Sequence, residues 1–180
     1  MDENRRLEGL EEADFLFRRM VRRFVKERDR VSVDGVTLPG LMILNLIIRE
    51  GEQRLGDLAD RLDFTSGAIT ALCDKLDAAG FAARRRKEDD RRTVLLDITP
   101  AGRRMMERNR NVGEACISLL FGDFTEEELA LLGRGFRRIT DRLDGFSAAI
   151  MELARQNAEA PVPVPGQKRP RAARSRYLGY

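Results

Sequence analysis

The sequence predicts a mainly α-helical fold with a small β-hairpin, and three observations support this fold class. Apolar residues recur at intervals of three and four along most of the chain, as they do on one face of a helix. A short segment around residue 96 changes to alternating apolar and polar positions, which is typical of a strand. Charged residues make up 35% of the composition and aromatic residues 6%, so the core between these elements must be aliphatic.

The composition also narrows the function. The chain has no histidine, which removes the commonest general base, the serine-histidine-aspartate triad and most zinc sites. We therefore expect no enzyme, no cofactor and no bound metal. The chain contains no run of about 18 apolar residues and does not open on a basic segment followed by an apolar stretch, so we expect a cytoplasmic protein without a membrane span.

The first element in chain order is a helix over about residues 7–29, because its apolar residues fall at i, i+3, i+4 and i+7: Phe17, Met20, Val21 and Phe24. Residues 31–36 interrupt the pattern. A second helix is expected after Thr37, whose hydroxyl can cap the first turn, where Pro39 is tolerated, and Gly51 ends this helix. It is apolar on more than one side, which predicts burial of Leu41, Leu44, Ile47 and Ile48.

Two short helices with matched apolar stripes come next, at about residues 55–79. The two stripes consist of Leu55, Leu58, Ala59 and Leu62, and of Ile69, Leu72, Cys73 and Leu76. Between the stripes, residues 63–66 form a turn that ends in a capping residue, and Gly80 stops the second helix. Two such helices joined by a tight turn predict a helix-turn-helix.

A hairpin, or wing, is predicted directly after the helix-turn-helix, over residues 81–98. Apolar residues alternate in its second arm, where three side chains are expected to point inward: Val94, Leu96 and Ile98. Residues 82–86 can pair with this arm, and the tip between them, residues 87–92, is entirely charged. Thr99 then caps a new helix in which Pro100 takes the first position.

The C-terminal helices carry an oligomerisation signal. Apolar residues from 129 to 153 are spaced 3, 4, 3, 4, 3, 4, 3, which is an unbroken heptad seam, and Thr125 and Glu128 form a capping box at its start. A helix over residues 100–120 has a looser seam of Met105, Asn109, Val112, Cys116 and Leu119. This apolar surface predicts a homodimer, with packing of these helices on the first helix as the alternative. The expected dimer residues are Phe17, Met20, Phe24, Leu129, Leu132, Phe136, Ile139, Leu143, Phe146 and Ile150.

These elements divide the chain into four segments. Residues 1–36 hold the N-terminal helix of the dimerisation region, residues 37–99 the helix-turn-helix with its wing, and residues 100–155 the C-terminal dimerisation helices. Residues 156–180 form a proline-containing linker and a basic tail that we expect to be disordered. The tail from residue 167 has five basic and no acidic residues, so the net charge of +3 leaves −2 for residues 1–166.

The basic residues of the wing, from Arg84 to Arg92, form a positive stretch on a near-neutral body. Such a stretch indicates phosphate contacts, and its place beside a helix-turn-helix points to DNA. A recognition helix buries one side and turns the other to the major groove, so we expect DNA contacts from Thr65, Ser66, Gly67, Thr70, Ala71 and Lys75. The wing would reach the adjacent minor groove, which attracts arginine where it is narrow. Its candidate residues are Arg84, Arg86, Lys87, Asp90, Arg91 and Arg92.

Four stretches, beginning at Leu55, Thr65, Leu76 and Asp90, together resemble the MarR (multiple antibiotic resistance regulator) family. The last of them, Asp-Arg-Arg-Thr-Val-Leu-Leu-Asp-Ile-Thr-Pro-Ala-Gly, is the most specific, and the resemblance covers about residues 7–153. It implies a triangular homodimer of winged helix-turn-helix lobes, in which Asp90 orients Arg92 into the minor groove. It also implies repression of nearby genes, with release of DNA when a small aromatic ligand, often phenolic, binds between the lobes and the dimer helices.

Two features depart from the family pattern. Ala71 stands where a larger polar or basic residue is common, so direct base readout is expected to be thin, and the basic tail lies outside the family core. Neither Cys73 nor Cys116 has a partner at metal or disulfide spacing. Cys73 lies on an apolar stripe and Cys116 near the dimer seam, so we expect inert thiols, with oxidant sensing as the minor alternative.

Two other classes of function stay open on the sequence. A winged-helix module that binds another protein and no DNA would suit the thin recognition face and the negative charge of residues 1–166. An all-helical enzyme is the third interpretation, and the lack of histidine, of paired carboxylates and of a phosphate-binding loop argues against it. Salt-dependent binding to DNA would distinguish the DNA-binding regulator from the protein-interaction module and from the enzyme.

Overall fold

The computed structural model describes residues 2–86 and 93–159. The chain forms two compact units that divide between Val112 and Gly113. The first unit contains, in order, α1 (Asp2–Arg28), β1 (Ser32–Val33), β2 (Val36–Thr37), α2 (Leu38–Glu50), β3 (Gln53–Arg54), α3 (Leu55–Arg61), α4 (Ser66–Ala78), β4 (Ala82–Arg86), β5 (Val94–Ile98) and α5 (Pro100–Arg108). Helix α6 (Asn111–Phe121) begins at the division, and α7 (Glu126–Leu143) and α8 (Phe146–Glu159) complete the second unit. The predicted fold class, helical with a small β-wing, is confirmed. Within the described ranges, no helix combines the length and the apolar content that a bilayer crossing requires.

The core of the first unit is aliphatic, as the composition predicts. Its fully buried side chains are Ile43, Leu44, Ile47, Leu58, Ile69, Cys73, Leu76, Leu96 and Met105. Phe64 and Phe81 pack against this cluster and are partly buried. No polar or charged side chain is buried among residues 4–86 and 93–159, so the core depends on apolar packing around hydrogen-bonded backbone.

The start and end of α2 agree with the prediction, but the expected cap of its first turn does not form. Gly51 ends the helix with φ at 83° and donates its N–H to the Ile47 carbonyl at 2.8 Å. Thr37 is the N-cap residue, yet its side chain makes no capping hydrogen bond. A capping hydroxyl accepts a hydrogen bond from the N–H of the second or the third helical residue. Pro39 is the second helical residue of α2, and proline has no N–H to donate.

The burial of α2 also differs in part from the prediction. Leu44 and Ile47 are fully buried and Leu41 packs against the core, but Ile48 is 40% exposed. Ile43, which the prediction left out, is fully buried instead. Neighbouring helix positions point about 100° apart, so Ile48 turns away from the core that its neighbour enters.

Residues 31–37, which interrupt the helical pattern, form a small hairpin of β1 and β2. Asp34 and Gly35 have φ values of 52° and 82°, the left-handed conformations that a two-residue turn between antiparallel strands requires. The Asp34 carboxylate accepts hydrogen bonds from Arg108 at 2.6 Å and from Asn109 at 3.1 Å. These bonds connect the hairpin to the end of α5.

The predicted wing is confirmed as β4 paired with β5, in an antiparallel register that sets Arg84 opposite Leu96. A third strand, β3, pairs with the other edge of β5, so the sheet order is β3-β5-β4. Leu96 and Ile98 point inward as predicted. Val94, however, is half-buried and Leu95 is buried, because β5 is the central strand and is flanked on both edges.

The helix predicted over residues 100–120 is two helices, α5 and α6, which separate at Asn109 and Arg110. The Thr99 hydroxyl accepts from the Gly102 N–H at 3.0 Å and Pro100 is the first helical residue, as predicted. Met105, expected in a dimer seam, is instead 1% exposed within the core of the first unit. The first unit therefore extends through α5 to residue 112, beyond the boundary expected at residue 99.

In the second unit, the heptad pattern continues across a break between two helices. The capping box is present, with Thr125 Oγ1 accepting from the Glu128 N–H at 3.3 Å and the Glu128 carboxylate accepting from the Thr125 N–H at 2.8 Å. Helix α7 ends at Leu143, and Gly145 with φ at 73° separates it from α8. The seam predicted as unbroken is therefore carried by two helices.

Candidate nucleic-acid interface

The turn between α3 and α4 has the short, fixed geometry expected of a helix-turn-helix. Asp63 adopts a φ of 53°, and the Phe64 N–H donates to the Ala59 carbonyl at 3.0 Å, which closes the end of α3. Thr65 is the capping residue of α4, with its hydroxyl accepting from the Ala68 N–H at 3.2 Å. The start of α4 is thus set by hydrogen bonds within the turn itself.

Helix α4 separates a buried side from an exposed side as predicted. Ile69, Cys73 and Leu76 are fully buried, and Leu72 packs at the margin of the core. All the predicted DNA-contacting residues at this helix are exposed: Thr65, Ser66, Gly67, Thr70, Ala71 and Lys75. The structure therefore presents these six residues together on one accessible side of the first unit.

The hydroxyl of Thr70 is already engaged within α4. It donates to the Ser66 carbonyl at 2.8 Å, one turn earlier. Toward a bound molecule Thr70 therefore offers its methyl group and the remaining acceptor capacity of its oxygen. Together with the small side chains of Gly67 and Ala71, this leaves few polar groups at these positions of α4, and limited direct readout of bases stays a prediction.

The three arginines of β4 differ in their surroundings. Arg84 forms an ion pair with Asp74 of α4 at 2.6 Å, and Arg85 forms one with Glu52. Arg86 is exposed and has no ion-pair partner among the described residues, and the same holds for Lys75. The positive stretch expected from the sequence is therefore partly neutralised by acidic residues of the same unit.

A shallow open depression of about 340 Å³ lies where α4 meets the wing. Its lining consists of Leu55, Thr70, Arg84, Arg85, Arg86 and Val94. Three predicted DNA-contacting residues, Thr70, Arg84 and Arg86, thus lie around one surface feature. The contact of Arg84 with α4 joins residues ten positions apart on different elements, so no local sequence pattern could have indicated it.

The remaining predicted wing residues, Lys87, Asp90, Arg91 and Arg92, lie outside the described residues. The predicted pairing of Asp90 with Arg92 therefore stays a prediction.

The predicted dimer residues lie in both units, where Phe17 and Leu132 are half-buried in the single chain. The others are 38–53% exposed: Met20, Phe24, Leu129, Phe136, Ile139, Leu143, Phe146 and Ile150. No group of three or more acidic or cysteine side chains among the described residues is placed to hold a metal ion.

Cys73 lies beneath the recognition face and is fully buried, whereas Cys116 is half-buried. Burial raises the pKa of the Cys73 thiol above its ordinary value, and the nearby Arg84 guanidinium opposes that rise. Because the thiolate is the reactive form, a raised pKa leaves less of it at neutral pH.

Cys73 is accordingly expected to resist iodoacetamide at neutral pH in the folded protein and to react fully in urea. Peptide mass spectrometry after timed alkylation measures both rates. Similar rates with and without urea would show that Cys73 is accessible and would reopen oxidant sensing at this position.

A family model described as the MarR family matches residues 36–94. The HTH-type transcriptional repressor YetL of Bacillus subtilis is 30% identical over 112 residues, which cover 59% of this chain and 67% of YetL. Alignments with three further regulators of Bacillus subtilis span 64–70% of those proteins, so the chain matches about two thirds of their length.

Two solved structures resemble the chain at low sequence identity. The structure of a MepR–DNA complex from S. aureus matches with a TM-score of 0.64 and 17% identity, over 71% of this chain and 96% of that one. The second structure concerns regulation of DNA binding of Bordetella bronchiseptica BpsR by 6-hydroxynicotinic acid. It matches with a TM-score of 0.62 and 22% identity, over 72% of this chain and 98% of that one. These two likenesses support the fold.

Proposed function

The chain belongs to the MarR family of transcription regulators, and from this premise we propose that it binds DNA sequence-specifically as a homodimer and represses transcription. The observation that carries the proposal is the exposed side of α4, which presents Ser66, Thr70 and Lys75, together with the depression that Thr70 and the wing arginine Arg86 both line. A helix with one side anchored in a core and the other open can enter a major groove. Lys75 and Arg86 supply charge for the phosphates on either side of it.

A homodimer would bring two copies of α4 to one duplex. The two recognition helices would lie roughly 34 Å apart, one turn of DNA, and would contact the two halves of a pseudo-palindromic site. Support for the dimer comes from the apolar side chains that α1, α7 and α8 leave exposed in the single chain. Exposed apolar surface of this extent is typical of a protein-protein interface.

The proposal extends to regulation. YetL is described as a repressor, and the BpsR structure concerns control of DNA binding by an aromatic acid. We infer that a small aromatic ligand releases this chain from DNA, without any resident cofactor and without catalysis. Because a regulator of this kind acts on chromosomal DNA, we also infer a cytoplasmic location. Titrating benzoic and hydroxybenzoic acids into a preformed protein–DNA complex tests the inference, and an unchanged affinity with all of them would contradict it.

Replacing Lys75 by glutamine is expected to weaken DNA binding about three- to tenfold, because one phosphate contact is lost from the recognition face. The slope of log K against log salt concentration is expected to become shallower by about 0.9, the counterion release of one phosphate contact. Fluorescence anisotropy with a labelled duplex at several salt concentrations measures both quantities.

The matched control is Arg103→Gln, since Arg103 is exposed on α5, a helix that packs on α2. This control is expected to leave affinity and slope unchanged. Equal effects of the two substitutions would show that α4 has no special role. A wild-type protein that bound no DNA at any salt concentration, but associated with another protein, would favour the protein-interaction module.

A further inference from the structure

Arg84 connects the wing to the recognition helix through two different nitrogens of one guanidinium group. Its Nη1 lies 2.6 Å from Oδ1 of Asp74, and its Nη2 donates to the Thr70 carbonyl at 3.4 Å. Thr70 and Asp74 are four positions apart on α4, so both acceptors lie on the same side of the helix. The guanidinium therefore spans one turn of α4.

The strand end of this connection is also fixed. Arg84 pairs in register with Leu96 of β5, which is fully buried, and Ala82 two positions earlier is 1% exposed. The side chain of Arg84 is 29% exposed, less than the 56% of Asp74. Arg84 thus extends from a strand anchored in the core to the middle of the helix that faces DNA.

The charge of Arg84 differs in its effect from that of Arg86. A carboxylate at 2.6 Å offsets the guanidinium charge and engages its Nη1 group, so Arg84 is less available to a phosphate oxygen. Arg86, two positions along the same strand, is exposed and meets no acidic side chain among the described residues. Arg84 and Arg86 therefore differ in how available they are to a phosphate, although they lie on one strand.

We propose that Asp74 and Arg84 form a clamp that fixes the wing against the recognition helix and withholds Arg84 from the DNA phosphates. Arg84 is then a positioning residue, because its ion pair with Asp74 holds it against α4. The clamp rests on the proposed function, because it concerns how α4 and the wing are presented to DNA together. It differs from the sequence-based expectation that Arg84 contacts DNA directly.

The salt dependence of DNA binding tests this clamp, because only residues that neutralise phosphates change the slope. The probes are a fluorescein-labelled duplex of mixed sequence and a duplex enriched by selection from a random pool. Arg86→Gln, on the same strand, is the matched comparison and is expected to make the slope shallower by about 0.9. Arg84→Gln is expected to leave the slope unchanged. It should also reduce discrimination between the two duplexes about tenfold, as when one base contact is misplaced.

Asp74→Asn distinguishes the clamp from a purely structural role of Asp74, because only the clamp predicts a change in the salt slope. Asparagine keeps the size of the side chain and removes its charge, so Arg84 becomes available to a phosphate. The slope is then expected to steepen by about 0.9, and affinity for the mixed-sequence duplex should rise. This variant remains informative if Arg84→Gln fails to fold, since Asp74 is more than half exposed.

Two outcomes would overturn the clamp while leaving the proposed function intact. The first is a slope for Arg84→Gln that becomes shallower as much as that of Arg86→Gln, which would make Arg84 a phosphate contact. The second is a slope for Asp74→Asn equal to that of the wild type. Failure of the wild-type protein to bind either duplex would instead overturn the proposed function.

Discussion

Replacing Ile139 by glutamate is expected to separate the proposed dimer into monomers and to weaken binding to a two-half-site duplex at least about a hundredfold. Ile139 lies on the heptad seam of α7 and is 40% exposed in the single chain, so the monomer should tolerate the change. In a two-fold symmetric dimer the substitution would bury two carboxylates in an apolar interface, which is strongly unfavourable. A single lobe would then lose the gain from binding both half-sites at once.

Sedimentation equilibrium and anisotropy with one- and two-half-site duplexes measure these losses. The matched control is Leu131→Glu, because Leu131 is on the same helix, is 60% exposed and lies off the seam. This control is expected to stay dimeric. A dimer that persists in Ile139→Glu would show that the seam is not the interface. Dissociation of both variants would indicate an interface on a broader surface of α7.

Replacing Gly102 by alanine is expected to lower the free energy of unfolding by about 3 kcal/mol, near the upper range for overpacked sites. A Cβ added at Gly102 would overlap the backbone carbonyl of Phe81 and come within 2.8 Å of Ile98 Cγ1. The same Phe81 carbonyl accepts from the Thr99 N–H at 3.0 Å. Relief would therefore require α5 to move off the end of the wing rather than a rotation of a flexible side chain.

Urea denaturation followed by circular dichroism measures this loss. Gly56→Ala is the matched control in the same unit, since no atom lies within 4 Å of the Cβ that it would add. Alanine favours a helix over glycine by up to about 1 kcal/mol, so this variant should be unchanged or more stable. If Gly102→Ala were as stable as Gly56→Ala, the close packing of α5 on the Phe81 backbone would not be a feature of the protein.

Patterns within one element allowed the helices and the wing to be predicted from the sequence. The apolar spacing of Ile69, Cys73 and Leu76 defines which side of α4 is buried, and the exposed side follows by exclusion. Local hydrogen bonds do the same for helix ends, as Thr99 and the capping box at Thr125 illustrate. Thr37 shows the limit of this reasoning, because the suitability of a cap depends on which neighbouring N–H groups exist.

The candidate site was predicted in outline, and its electrostatics were not. The exposed residues of α4 could be predicted because a helical pattern of apolar side chains leaves few alternatives. The different surroundings of Arg84 and Arg86 could not, since both are arginines at alternate positions of one strand. Their difference comes from Asp74, which lies on another element.

By itself, the sequence determined the mainly helical class, the helix-turn-helix, the pairing of β4 with β5 and the exposed side of α4, because periodicity and capping act over a few residues. Only the tertiary structure decided that Arg84 and Arg85 are neutralised by Asp74 and Glu52, and that Met105 belongs to the core of the first unit. It also decided that two residues, Gln53 and Arg54, add a third strand. These features depend on contacts between residues distant in the chain, and two residues are too few to show a period.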